Sequence, residues 1–155
     1  LDPDCRFPEP WWFDDDHGAA TEGRILVIVE RNAIMDADFK QTTARPDAAA
    51  VMKPIGEVRG WNPLPEFPPC RQCSGSGFRW TEETDEFGEY EGYQHCNCYV
   101  PFGERKVARH LANKLLSLPG CQWGVTNNPD HTAIFLRFVG GTGAMMPLSK
   151  QEGGE

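Results

Sequence analysis

The chain has 155 residues, a net charge of -8 at pH 7 and 39% hydrophobic content, with a pI near 5.0. That length can bury a core without covalent staples. The acidity argues against a general nucleic-acid binder, whose phosphate contacts demand a basic footprint. No apolar stretch approaches the ~18 to 20 residues of a membrane helix.

Residues 1–23 combine Pro3, Pro8 and Pro10 with the triplet Trp11-Trp12-Phe13 and the acids Asp14, Asp15 and Asp16. The segment reads as an acidic aromatic arm. Three adjacent large aromatics are costly to leave in water, so they either cap this chain's own core or dock on a partner. The start does not show basic residues followed by an apolar run, the pattern of a signal peptide. Ile25-Leu-Val-Ile-Val29 is an unbroken, β-branched run and predicts a central strand covered on both faces. Beyond it, Pro46 to Met52 suits a short helix with proline in its first turn. The six prolines at 46, 54, 63, 65, 68 and 69 predict a long irregular connection.

The strongest signal comes next, in Cys70-Arg-Gln-Cys73-Ser-Gly-Ser-Gly77 and His95-Cys96-Asn-Cys98. Zinc takes four Cys or His ligands tetrahedrally, and two ligands two residues apart can reach one ion from a single tight turn. Gly75 and Gly77 allow the positive φ that folds backbone amides toward the sulfurs. Residues 74–95 have room for two short strands, 78–82 and 91–95, joined around Phe87-Gly88. The preferred ligand set for a structural Zn2+ is Cys70, Cys73, Cys96 and Cys98. His95 lies two residues before Cys98 on the same spacing as the first pair and is the alternative ligand. A Cys-X-Cys disulfide would close a very small strained ring.

The Cys-X-X-Cys-X-Gly-X-Gly string resembles one repeat of the DnaJ-type zinc hairpin. With the following aromatic, the closing Cys-X-Cys and a helix after it, residues 70–115 are similar to the small zinc module of bacterial and phage helicase loaders. That resemblance implies a zinc module with Cys96 as third ligand. It does not extend to an ATPase, because Gly140-Gly-Thr-Gly143 is followed by Ala144 and Met145 where a P-loop has Lys and Ser or Thr.

Val107, Leu111, Leu115 and Leu118 recur at helical spacing and predict an amphipathic helix over 103–118, stopped by Pro119-Gly120. Its other face would carry Arg105, Lys106 and Arg109. These residues are candidates for partner binding together with Trp11, Trp12 and Phe13. Strands are expected at 122–126 and 132–139 about an Asn-Asn-Pro-Asp turn, followed by a flexible tail over 140–155.

The predicted fold is α+β: a small sheet with one packed amphipathic helix, a zinc-bound β-hairpin and long irregular Pro-rich connections. It would comprise an arm (1–23), one domain (24–139) with the hairpin inserted at 70–98, and the tail. His17, His95, His110 and His131 sit in no catalytic motif, and a four-cysteine zinc has no open position for water. The sequence therefore predicts a non-enzymatic, zinc-stabilised adaptor or peripheral subunit that binds another protein within a larger complex. A phage or mobile-element origin would suit it. The alternative is a nucleic-acid-binding zinc module using the basic face of helix 103–118. Thiols placed for a metal suit a reducing, cytoplasmic setting.

Overall fold

The computed structural model describes residues 11–12, 14–21, 24–30, 48–85 and 88–149, with Trp11, Trp12, 83–85, 89 and 90 described by backbone alone. In chain order the strands are β1 (Trp11–Trp12), β2 (His17–Thr21), β3 (Ile25–Glu30), β4 (Asn62–Pro63), β5 (Phe78–Asp85) and β6 (Gly88–His95). They continue with β7 (Tyr99–Phe102), β8 (Arg105–Ala108), β9 (Gln122–Gly124), β10 (Ile134–Phe138) and β11 (Gly141–Met145). Helices α1 (Ala48–Met52) and α2 (Arg109–Ala112) each run on into a 3-10 turn, Lys53–Glu57 and Asn113–Ser117. The class is mixed α+β.

The chain divides into two compact units where the sequence predicts one domain over 24–139. The first comprises Leu1–Leu64 with Leu118–Met146, and the second Pro65–Ser117 with Pro147–Glu155. A hairpin alone would not make a second unit. The β7–β8 pair and α2 add an apolar cluster of their own, with Val100, Val107, Ala112 and Leu115 fully buried.

The first unit is a seven-stranded sheet in the order β1-β2-β3-β11-β10-β9-β4, antiparallel at every pairing. β3 is central and buried from Ile25 to Ile28, as its β-branched run predicts. Leu26 and Ile28 share a core cluster with Ala48 and Met52 of α1 and with Phe135 of β10. Burying side chains of this size contributes roughly 1.5–3 kcal/mol each.

Three expectations are corrected here. The arm does not end at 23 as a separate segment, because β2 pairs with β3 along its length and the backbone of Trp11 and Trp12 pairs with Ala19 and Gly18. Side-chain placement of Trp11, Trp12 and Phe13 lies outside the described residues, as does Cys5. The tail does not begin at 140, because β11 is hydrogen-bonded between β3 and β10. Its glycines conceal it from pattern reading, yet they permit the close approach: a Cβ on Gly143 would stand 2.6 Å from the Leu26 carbonyl oxygen. The Pro-rich connection is partly regular, holding α1, its 3-10 turn and β4; Pro54 occupies the first turn, where its missing N–H costs nothing. Of the helix expected at 46–52, residues 46 and 47 lie outside the described residues.

In the second unit, the helix expected over 103–118 is replaced by a hairpin and a short helix. β7 and β8 pair from Tyr99 opposite Ala108 to Phe102 opposite Arg105. Gly103, at φ 64°, makes the tight turn between them. Phe102 and Val107 are buried from strand positions, and only Leu111 and Leu115 keep the helical spacing in the core. Val107, opposite Val100 in the ladder, thus takes a strand position in place of the 3.6-residue period into which it also falls.

Candidate metal centre

Cys70 and Cys73 sit on the turn before β5, and Cys96 and Cys98 on the segment leaving β6. The turn is held by the Ser74 amide donating to the Cys70 carbonyl (2.9 Å) and the Ser76 amide donating to that of Cys73 (3.0 Å). Ser74, Gly75 and Gly77 all adopt positive φ, at 53°, 90° and 84°. Gly77 also has a packing reason, since a Cβ there would come within 3.0 Å of the His110 Cα. The two halves are tied by the Cys96 amide, which donates to the Gly77 carbonyl at 2.8 Å. The first cross-strand pair of the hairpin, Phe78 opposite His95, lies directly above that tie.

The four sulfurs lie within 4.8 Å of one another. Cys70 Sγ is 3.7 Å from Cys96 Sγ, and Cys73 Sγ is 3.5 Å from Cys98 Sγ. These separations are far beyond a disulfide bond of ~2.05 Å. They suit one ion, because zinc–sulfur bonds of ~2.3 Å arranged tetrahedrally place the sulfurs about 3.8 Å apart. A polynuclear cluster would spread its ligands wider.

The surroundings of the thiols favour a cation among them. Backbone amides of Cys73 and Gln72 donate to the Cys70 sulfur and pull its pKa down to about 6. Cys98 is pushed up to about 12, first by burial and then by the neighbouring thiols. Four thiols this close cannot share negative charge without a positive centre. Arg109 stands beside Cys98 and favours its thiolate. Only 3% of Arg109 is exposed. Its Nη2 donates to the Pro68 carbonyl, and its Nε is buried without a hydrogen-bond partner. A buried guanidinium with no described carboxylate beside it matches a zinc tetrathiolate, whose net charge is negative. The donor set and its surroundings therefore fit a structural Zn2+.

His95 is not in the cluster. It is exposed, with its ring stacked on that of His110 at 3.9 Å and 8° and tilted against Phe78 at 5.1 Å. Arg105 and Lys106 are on β8, not on a helix. Lys106 Nζ lies 4.5 Å over the Tyr99 ring, and burial pulls the Arg105 guanidinium below its usual value. Arg109 is buried, so the three do not form the basic helix face expected from the sequence. His17 and His131 are each held locally: His17 Nδ1 lies 2.9 Å from Asp14 Oδ1, and His131 Nδ1 lies 3.1 Å from Thr126 Oγ1.

Sequence reasoning missed what braces the knuckle. Arg109 supports Cys98 from the side, its backbone N–H donates to the Cys98 carbonyl at 3.1 Å, and Asn113 Nδ2 donates to the Gly75 carbonyl at 2.9 Å. The sequence places Arg109 on a polar helix face. Arg109 and Asn113 follow Cys98 only after the whole β7–β8 hairpin, so no spacing along the chain could have found them. Comparison with protein-family models, curated proteins and solved structures finds no match to this chain.

Proposed function

We propose that the protein is a zinc-stabilised adaptor or peripheral subunit that binds another protein within a larger complex, acting without catalysis. The observation that supports it most is the convergence of Cys70, Cys73, Cys96 and Cys98 at the base of the β5–β6 hairpin. Four sulfur ligands complete a tetrahedral zinc and leave no coordination position for an activated water, so the metal's task would be structural. It would hold together a ribbon of two strands, which is marginal by itself in water. The thiols suit a reducing, cytoplasmic setting. No described helix is long and apolar enough to cross a membrane.

The nucleic-acid reading depended on Arg105, Lys106 and Arg109 sharing one helix face, and their actual places remove that support. The test combines metal analysis with isolation from cells that naturally make the protein. About one zinc per chain and a stoichiometric protein partner co-eluting in salt are expected. A metal-free native protein, or tight salt-sensitive binding to DNA or RNA in place of a protein partner, would overturn the reading.

A further inference from the structure

The β5–β6 hairpin carries an aromatic and acidic face that its own unit leaves uncovered. Strict antiparallel register places Phe78 opposite His95, Trp80 opposite Tyr93 and Glu82 opposite Glu91. Alternate pairs share a face in a two-stranded ribbon, so these three follow one another outward from the cysteine cluster on the same side. Phe78 and His95 are tied to the base through the His110 stack. The next pair is not: Trp80 is 52% exposed and Tyr93 is 73% exposed. Their rings meet edge to face at 5.1 Å.

Beyond them Glu82 and Glu91 are both exposed. Like charges directly opposed across a ribbon are destabilising, and among the described residues no cation pairs with either. By sequence, residues 82–91 hold Glu82, Glu83, Asp85, Glu86, Glu89 and Glu91 and no Lys or Arg.

We propose that this face, with Trp80 and Tyr93 beside Glu82 and Glu91, is the docking surface for a lysine- and arginine-rich segment of a partner protein. The proposal rests on the protein-binding reading above and names the chemistry of the partner. Charge complementarity chooses the occupant. A cationic side chain gains from the aromatic faces and relieves the opposed carboxylates at the same contact. An apolar peptide would desolvate Glu82 and Glu91 without a partner. Nucleic acid brings phosphates toward carboxylates, and a second copy of a chain with net charge -8 brings a like-charged body. Zinc at the base would present the face as a fixed ribbon, which lowers the ordering cost of binding.

The test is calorimetric titration of the zinc-loaded full chain with a short Lys/Arg/Ser peptide and with its counterpart in which every Lys and Arg is replaced by Glu. Only the basic peptide should bind. Trp80→Ser with Tyr93→Ser should weaken it about tenfold, corresponding to ~1.4 kcal/mol from two aromatic–cation contacts. Glu82→Lys with Glu91→Lys should weaken it further. Glu66→Lys with Asp130→Lys makes the same change in net charge outside the hairpin and should leave affinity within about twofold, since binding that needs contact with the face does not follow net charge alone.

Zinc content verifies each variant; if the serine pair loses its metal, the β-branched pair Trp80→Thr with Tyr93→Thr takes its place. Equal losses in the hairpin and control variants would reduce the binding to bulk electrostatics and overturn the surface. Peptide binding that survives every hairpin substitution would overturn it while leaving the adaptor reading intact. Absence of binding to either peptide also overturns it, and the adaptor reading is then decided by the co-elution test. A single-stranded oligonucleotide that competes for Trp80 would replace the partner class.

Discussion

The seven-stranded sheet and the β5–β6 hairpin are both made of antiparallel strands, but different forces hold them. In the sheet, β3, β10 and β11 bring Ile25, Ile134, Leu136 and Met145 to at most 1% exposure, and Leu26, Ile28 and Phe135 close a cluster with α1. The central strands there have apolar side chains to bury. The hairpin has eight residues in each strand, yet its Trp80, Glu82, Glu91, Tyr93 and His95 are exposed. Without a core, register must be fixed at the base, where Cys73 precedes the first pair and Cys96 follows it. The difference teaches that strand length is no guide to stability: the five-residue β10 stands on packing, whereas the eight-residue strands of the hairpin leave large side chains exposed and meet a cluster of four thiols at their base.

The largest effect should come from breaking that cluster. Cys73→Ser, or a strong chelator added to the native protein, should release about one equivalent of zinc and collapse the hairpin. Apparent zinc binding in small modules is worth ~10–16 kcal/mol, comparable to a domain's whole stability. The sheet should remain folded. NMR would show loss of dispersion for Phe78 to His95 with the resonances of Ile25 to Glu30 retained. Simultaneous loss of both sets would show that the sheet also depends on the metal.

The converse substitution sharpens the comparison. Phe135 is 1% exposed within the α1 cluster, and Phe135→Ala should cost about 3–5 kcal/mol through lost burial and the cavity left behind. Urea unfolding of the sheet should shift accordingly, while zinc content and the hairpin resonances stay unchanged. Zinc loss in this variant would mean that the centre needs the sheet to form.

The sequence revealed what depends on local chemistry and concealed what depends on neighbours. The cluster of Cys70, Cys73, Cys96 and Cys98 was legible because residues able to hold one ion must obey spacing, and Ile25 to Val29 because a strand buried on both faces must be apolar throughout. The glycine-rich β11 was not legible, since its strand character comes from hydrogen bonds to β3 and β10. Val107 misled because one residue can satisfy a helical period and a strand alternation at once; the Gly103 turn decided between them. Arg105, Lys106 and Arg109 form a charged face only if a helix is assumed. Arg109 is instead buried beside Cys98, a place that no pattern of charge along the chain specifies.

The smallest effect contrasts single thiols in the two regions. Cys121 precedes β9 and is buried, which pushes its pKa up to about 11 from the ordinary 9.0. Cys70 is pulled down to about 6 by the backbone amides of Cys73 and Gln72. At neutral pH in metal-free protein, where the collapsed hairpin exposes its thiols, iodoacetamide should modify Cys70 rapidly and the buried Cys121 slowly, because the accessible thiolate is the nucleophile. The stability effect of Cys121 has a definite sign. The folded state favours its neutral thiol, so the stabilisation is complete below pH 9 and is lost as pH rises through about 11. Thermal unfolding of the sheet should weaken across that window, and Cys121→Ala should flatten the weakening by an amount on the order of 1 kcal/mol. An alkaline limb identical in the two proteins would assign the loss to other groups and remove Cys121 from the account of how the sheet keeps its core dry.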